Sequence, residues 1–182
     1  MPEIQIGGKA IGDGHPCFII AEACDNHMGD TDAAIEMVRR SQLAGADAVK
    51  FQHHLPDEEM LPDTPMSSNF DEPLYDFLKK YALTLDQHKE IKKYCDQIGI
   101  TYLCTPFSWD AALELEPLGL PAFKIGSGEM TDIPTLVKIA GLSKPMLVST
   151  GMATFDEIQR TYNALSLRNV PFSLLNCVSE YP

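Results

Sequence analysis

Positive charge is scarce in this chain: 14 Lys and Arg stand against 26 Asp and Glu, a formal net charge of -12 with a pI near 4.7. Such a surface is not built to hold nucleic acid or an anionic membrane. Neither is expected as a partner, and any anionic ligand must be held by a local cluster of lysines and backbone N–H groups. No apolar run approaches the length of a membrane span, and the opening Met1-Pro-Glu-Ile-Gln5 has neither the basic nor the apolar region of a secretory signal. The expected compartment is therefore the cytoplasm. Paired cysteine motifs are missing too. The five cysteines, Cys17, Cys24, Cys95, Cys104 and Cys177, are odd in number and form no Cys-x-x-Cys. That fits reduced thiols in small core positions, with Cys24, Cys104 and Cys177 the ones placed to line a pocket. No Gly-x-Gly-x-x-Gly follows the first apolar strand, which counts against a dinucleotide site.

What is present is an alternation of short apolar strands and amphipathic helices. A length of 182 residues, 45% of them hydrophobic, supports one core and suggests one domain. The segment 3–11 alternates polar and apolar about Gly7-Gly8, a hairpin pattern. Phe18–Ala23 reads as a fully buried strand, and Thr31 is placed to cap a helix carrying Ala34, Ile35 and Val38 on one face until Gly45. A strand over 48–52 follows, then a long connection, 53–83, with a short helix at 74–81. Connections of this length in a compact domain are usually functional. Thr84-Leu-Asp-Gln87 and Thr154-Phe-Asp-Glu157 are capping boxes, the second opening a helix with Ile158, Tyr162 and Leu165 on its buried face. Ser108 and Asp132 open two further helices, and strands are expected over 101–107, 122–127, 146–150 and 172–178. Six strands with five intervening helices predict a parallel sheet covered by helices. An open doubly wound sheet and a (β/α)8 barrel both fit, and a barrel of this length would be incomplete.

The chemistry concentrates where strands end. In Ala122-Phe-Lys-Ile-Gly-Ser-Gly-Glu129, Phe123 and Ile125 share one face and Lys124 points to the other. An ammonium group inside a sheet costs several kcal/mol unless an anion answers it. Lys50, on a second strand and on the same face as Gln52, repeats the pattern. Both lysines sit mid-strand opposite bulky apolar neighbours, so a ligand-binding reading stands ahead of snorkelling to solvent. Glu22 and Glu129 have the competing reading of helix-terminal carboxylates, and Thr105 and Ser149 that of hydroxyls satisfying the backbone. His53 and His54 are read as solvated loop histidines that fall on opposite faces, and His27 as a residue holding the loop after the first buried strand. No partner at ligand spacing makes any of the three a metal site. The acidic stretch 57–63 is read as a solvated loop.

Six segments, in order, resemble the sialic acid synthase family, whose members make N-acetylneuraminic, legionaminic and pseudaminic acids. They are Ile20-Ala-Glu-Ala-Cys-Asp-Asn-His27, Val49-Lys-Phe-Gln52, Thr105-Pro-Phe-Ser108, Lys124-Ile-Gly-Ser-Gly-Glu129, Ser149-Thr-Gly-Met152 and Cys177-Val-Ser-Glu-Tyr-Pro182. The resemblance implies a TIM-type (β/α)8 barrel of which six of eight strands are present, spanning 16–182 and preceded by an N-terminal hairpin in 1–15. It also implies a reaction that joins phosphoenolpyruvate to the aldehyde of an N-acylated, N-acetylmannosamine-like hexosamine, giving a nonulosonic acid and phosphate.

On that resemblance, Lys50, Thr105, Lys124, Ser127, Ser149 and Ser179 hold phosphoenolpyruvate. Gln52, Asn69, Phe107 and Tyr181 face the sugar, and Glu129, Glu22 and Lys124 are the catalytic candidates. A divalent metal, Mn2+ or Mg2+, is implied, with two histidine ligands on strands beyond the sixth, so that no metal ligand is expected in this chain. A C-terminal antifreeze-like domain, which completes a homodimer's sugar site, is likewise expected to be absent from it, and the chain alone is expected to be inactive. Two other readings stay open: a non-catalytic remnant that binds an anion or a partner, and an aldolase using Lys124 as a Schiff base.

Overall fold

The computed structural model describes residues 3–66 and 71–180. Chain order begins with β1 (Ile4–Ile6) and β2 (Lys9–Ile11), an antiparallel hairpin. Both turn residues, Gly7 and Gly8, have positive φ, the condition for the tight turn whose twist matches paired strands. Six strands then pair in parallel: β3 (Ile20–Glu22), β4 (Ala48–His53), β5 (Thr101–Pro106), β6 (Phe123–Ile125), β7 (Met146–Ser149) and β8 (Phe172–Leu175). Their spatial order follows the sequence without reversal. A doubly wound sheet needs a point where the order switches, so the uninterrupted order decides between the two architectures. The sheet curls into part of a TIM-type barrel, with its helices outside.

The helices are α1 (Thr31–Leu43), α2 (Pro56–Glu59), α3 (Leu74–Tyr81), α4 (Leu85–Ile98), α5 (Trp109–Leu115), α6 (Ile133–Ala140) and α7 (Phe155–Ser166). Both capping boxes form, Thr84 with Gln87 and Thr154 with Glu157, and Ser108 and Asp132 cap α5 and α6. Alternation sorts the strand residues onto two faces. Val49, Phe51, Tyr102, Cys104, Phe123, Ile125, Met146 and Val148 pack outward against the helices, among them Val38, Ile91, Leu115, Leu136 and Leu165. The inward set, Ala48, Leu103, Ala122 and Leu147, packs against Ile4 and Ile6 of the hairpin. The hairpin thus plugs the end of the barrel where strands begin and keeps water from the floor beneath the lysines. Gly7 backs onto Thr101, the first residue of β5, where a Cβ would collide with the threonine side chain.

Several expectations need correction. The cap of α1 is Asp30, whose carboxylate accepts from the N–H groups of Asp32 and Ala33, while the Thr31 hydroxyl instead accepts from Gln87. The run at 18–23 is not fully buried, with Ile19 half exposed, because β3 lies at the edge of the sheet and lacks a neighbour on one side. On α7 the core position beside Leu165 belongs to Thr161, whose hydroxyl bonds the carbonyl of Met130, and Tyr162 is largely exposed. Cys17 is exposed rather than a core thiol.

Ile6 is fully buried in the plug, so Ile6→Ala should cost about 3 kcal/mol. Urea unfolding checks this, and a loss below about 1 kcal/mol would show that the hairpin does not close the floor.

Candidate functional site

Register brings the polar inward residues together at the ends of the strands. Glu22 on β3 pairs with Lys50 on β4, Gln52 pairs with Thr105 on β5, and Lys124 on β6 pairs with Leu147 on β7. Lys50, Lys124, Thr105 and Ser149 are all buried. The Lys50 ammonium donates to Thr105 Oγ1 at 3.1 Å and forms an ion pair with Glu22 at 2.7 Å. Glu22 is therefore an answer to a buried lysine and caps no helix.

Lys124 has less support. Its Nζ donates to the carbonyl of Ile125 at 2.7 Å, and among the described residues no carboxylate lies within ion-pair distance. Burial, and then the charge of nearby Lys50, pull its pKa down to about 8, with Glu22, Cys177 and Glu129 resisting. Two buried ammonium groups thus lie near enough on the inner face to repel each other, with one carboxylate bonded to Lys50 and none to Lys124 among the described residues, an arrangement that calls for an anion.

Hydroxyls and glycines complete this side. The backbone N–H of Gly151 donates to Ser127 Oγ at 3.1 Å, and a Cβ at Gly151 would run into the hydroxyls of Ser127 and Ser179 and the thiol of Cys177. Only glycine lets those groups close around the backbone. Gly126 plays the same part for Glu129, whose Oε2 is buried, has no hydrogen-bond partner among the described residues, and occupies the space a Cβ would need. Burial raises the Glu129 pKa, so this carboxyl keeps its proton longer than an exposed one.

Beside the lysines opens a cavity of about 330 Å³. Asp25, Gln52, His54, Glu59 and Glu129 form its polar side, and Met60, Leu74, Phe77, Leu78 and Phe107 its apolar side. His54 is the hub of the polar side. Its Nδ1 lies 2.8 Å from Glu59 Oε1, and its Nε2 lies 3.1 Å from Gln52 Oε1 and 3.4 Å from Asp25 Oδ2. The ring stacks on Phe107 with centroids 4.2 Å apart. Burial by itself would strip the ring of its proton, but the hydrogen bonds and charges of Asp25 and Glu59 overcome it and carry the pKa up to about 9.

A model of the NeuB family matches residues 37–182. The chain belongs to the NeuB family. It is 34% identical over 180 residues to the N-acetylneuraminate-9-phosphate synthase of Mus musculus, covering 96% of this chain and 50% of that protein. It is 37% identical over 174 residues to the N,N'-diacetyllegionaminic acid synthase of Campylobacter jejuni, covering 91% and 52%. Its fold matches the crystal structure of the N-acetylneuraminic acid synthetase of Leptospira borgpetersenii, solved in complex with citrate. There the TM-score is 0.87 and the identity 30%, over 100% of this chain and 61% of that one. The chain spans about half the length of the curated relatives it matches.

Of the residues read as functional from sequence, Glu22, Lys50, Thr105, Lys124, Ser127, Ser149 and Ser179 fall on or beside the lysine pocket, and Gln52, Phe107 and Glu129 line the cavity. Asn69 and Tyr181 lie outside the described residues. Among the described residues no group of three or more His, Cys, Asp or Glu side chains is placed to hold a metal ion.

The solvated-loop reading fails for His53 and His54, which are buried, and for Glu59, which turns inward from α2, a short helix not anticipated within the long connection, while Asp57, Glu58 and Asp63 of the acidic stretch are exposed as expected. The opposite-face expectation for His53 and His54 holds: His53 points outward to Glu114 at 2.8 Å and meets the His88 ring edge-on, while His54 enters the cavity. His27 accepts from the N–H of Gly29, holding the loop after β3 as expected. The missed residues, Asp25, His54 and Glu59, share one signal: each is polar and follows the end of β3 or β4, on the rim where barrel sites form.

Unfolded, His54 loses its proton near its ordinary value of 6.5, whereas folded it holds it to about 9. The resulting stabilisation is complete below the first value and is lost as the pH rises through the second. Lys124, whose pKa is lowered, drifts the opposite way over the alkaline range, so the comparison to make is with His54→Gln. The stability advantage of the native chain over that variant should shrink from pH 6.5 to about 9, as read by urea unfolding across the range. A pH-independent gap contradicts a charged His54.

Proposed function

We propose that this chain carries the anion-binding side of a nonulosonic acid synthase, which condenses phosphoenolpyruvate with the aldehyde of an N-acylated, mannosamine-type hexosamine and releases phosphate. One observation carries the reading: Lys50 and Lys124 are buried together with Thr105 on the inner face, and among the described residues only Lys50 has an ion-pair partner, Glu22. Phosphoenolpyruvate is small and densely negative, and it would supply the charge that Lys124 lacks. Ser127, Ser149 and Ser179 add hydroxyl donors for phosphate and carboxylate oxygens. Membership of a family of synthases supports the same class of chemistry.

In this reading C3 of the enol attacks the aldehyde carbon, forming the new C–C bond, and the aldehyde oxygen takes up a proton. Water then adds at C2, and the C2 phosphate leaves to give the keto acid. Glu129, which lines the cavity and whose pKa burial raises, is suited to donate the proton. Glu22 would moderate the charge of Lys50. The cavity walled by Phe107 and reached by Gln52 would take the sugar. The manganese or magnesium of the family reading enters no step here, and a homodimer remains part of the reading for the longer protein.

The test is calorimetric titration of the chain with phosphoenolpyruvate. Lys50→Ala and Lys124→Ala should each weaken binding roughly ten- to a hundredfold, the worth of a charge-assisted hydrogen bond. Gly151→Ala should weaken it as well by pushing Ser127 and Ser179 apart, without unfolding the chain. No measurable binding by the native chain would remove the reading.

A second reading, a Schiff-base aldolase, is favoured by the lowered pKa of Lys124, because a partly uncharged amine can attack a keto group and expel water. Borohydride treatment with pyruvate, followed by intact-mass measurement, separates the two. The synthase reading expects no adduct, and an adduct lost in Lys124→Ala would decide for the aldolase.

A further inference from the structure

We propose that His54 is a positioning residue. Pinned between Asp25 and Glu59, it holds the carboxamide of Gln52 with the oxygen toward the ring and the NH2 free, so that the adjoining cavity selects a ligand presenting an oxygen acceptor such as an acyl carbonyl. This rests on the reading of the cavity as the sugar side of the site.

Donors and acceptors around the ring fix its state. Glu59 faces Nδ1 at 2.8 Å, and Asp25 faces Nε2 at 3.4 Å. A neutral imidazole carries one N–H and one lone pair, and here the lone pair would point at a carboxylate. Both nitrogens must therefore carry hydrogen. A ring without a lone pair cannot accept from the Gln52 amide, so at the 3.1 Å contact Gln52 has only its oxygen to offer. The NH2 group is then the end left over, and among the described residues no protein acceptor is bonded to it.

The ring has little freedom to do otherwise. It is buried and stacked on Phe107. The remaining charged or titratable groups near it are Glu129 across the cavity and the imidazoles of His27, His53 and His88, whose pKa values burial lowers. They add no competing cation. Among the described residues Glu59 Oε2 is buried without a hydrogen-bond partner and Asp25 Oδ1 meets the His27 ring no closer than 3.8 Å, so neither carboxylate is turned away from the ring by a stronger bond. The same contact to Glu59 ties α2, and with it the wall of Met60, Leu74, Phe77 and Leu78, to the strand that carries Gln52.

Nitrogen-15 histidine NMR on the intact chain reads the ring directly. At about pH 7 both His54 nitrogens should be protonated, and they should titrate only near 9. Calorimetry on the phosphoenolpyruvate-loaded chain, with N-acetylmannosamine and with mannose, reads the consequence. The native chain should prefer the acylated sugar. His54→Ala and Gln52→Glu should each weaken N-acetylmannosamine roughly ten- to a hundredfold, read on chain saturated with phosphoenolpyruvate so that a change in the affinity for that anion does not enter. His54→Arg, which restores a cationic donor, should recover part of the loss. Should His54→Ala fail to fold, Gln52→Glu makes the same test, because it keeps the bond to the ring and replaces only the free NH2. A His54 nitrogen that is deprotonated at neutral pH overturns the proposal, as does unaltered sugar binding in both variants or no sugar binding by the native chain. Failure of phosphoenolpyruvate itself to bind would overturn the preceding reading instead, and the ring measurement would still judge this one.

Discussion

Two lysine amines lie where a sheet of this kind normally keeps hydrocarbon. Placing ammonium groups inside a barrel carries a desolvation cost, and Lys50 offsets it with Glu22 and Thr105. Among the described residues Lys124 has only a backbone carbonyl, and its lowered pKa is the residue of the unmet cost. The hairpin below seals the floor with Ile4 and Ile6. Above, Gly126 and Gly151 give up side chains so that Glu129, Ser127 and Ser179 can approach. Both features serve a site whose stability and binding are in tension, as functional sites commonly are.

The mouth of the barrel divides into two compartments of opposite character. The lysine pocket is cationic and hydroxyl-lined, in a protein whose net charge is -12. The adjoining cavity is bordered by three carboxylates and an imidazole, with an apolar wall opposite. Gln52 on β4 and Glu129 after β6 stand between them. In the proposed reading, a dense anion on one side and a neutral, hydroxyl-rich partner on the other would each meet a matching surface. Charge is thus arranged over a few ångströms rather than over the whole surface, which is why overall acidity does not argue against an anionic ligand.

Secondary structure and most of the lysine pocket were legible in the residues, because the signals are local. Capping boxes at Thr84 and Thr154 are satisfied within one turn, and mid-strand lysines opposite bulky neighbours point away from the core by simple alternation. The histidines were misread for the complementary reason. Burial of His54 depends on Asp25 from one loop, Glu59 from α2 and Phe107 from the end of β5, none of which spacing along the chain brings together. Edge effects were equally hidden: β3 reads as apolar as β4, yet only the order of strands reveals which of them lacks a neighbour.

By itself, then, the sequence determined the elements, the sorting of their faces and the presence of two inward amines, since each follows from periods of two and of 3.6 residues and from short-range hydrogen bonding. The barrel was implied in the sequence through the family resemblance while strand periodicity left an open sheet equally possible, and the pairing of Glu22 with Lys50 and the charged state of His54 were decided only by tertiary structure. Those depend on distances between residues remote in the chain, and electrostatic free energy responds to separation and burial rather than to sequence position.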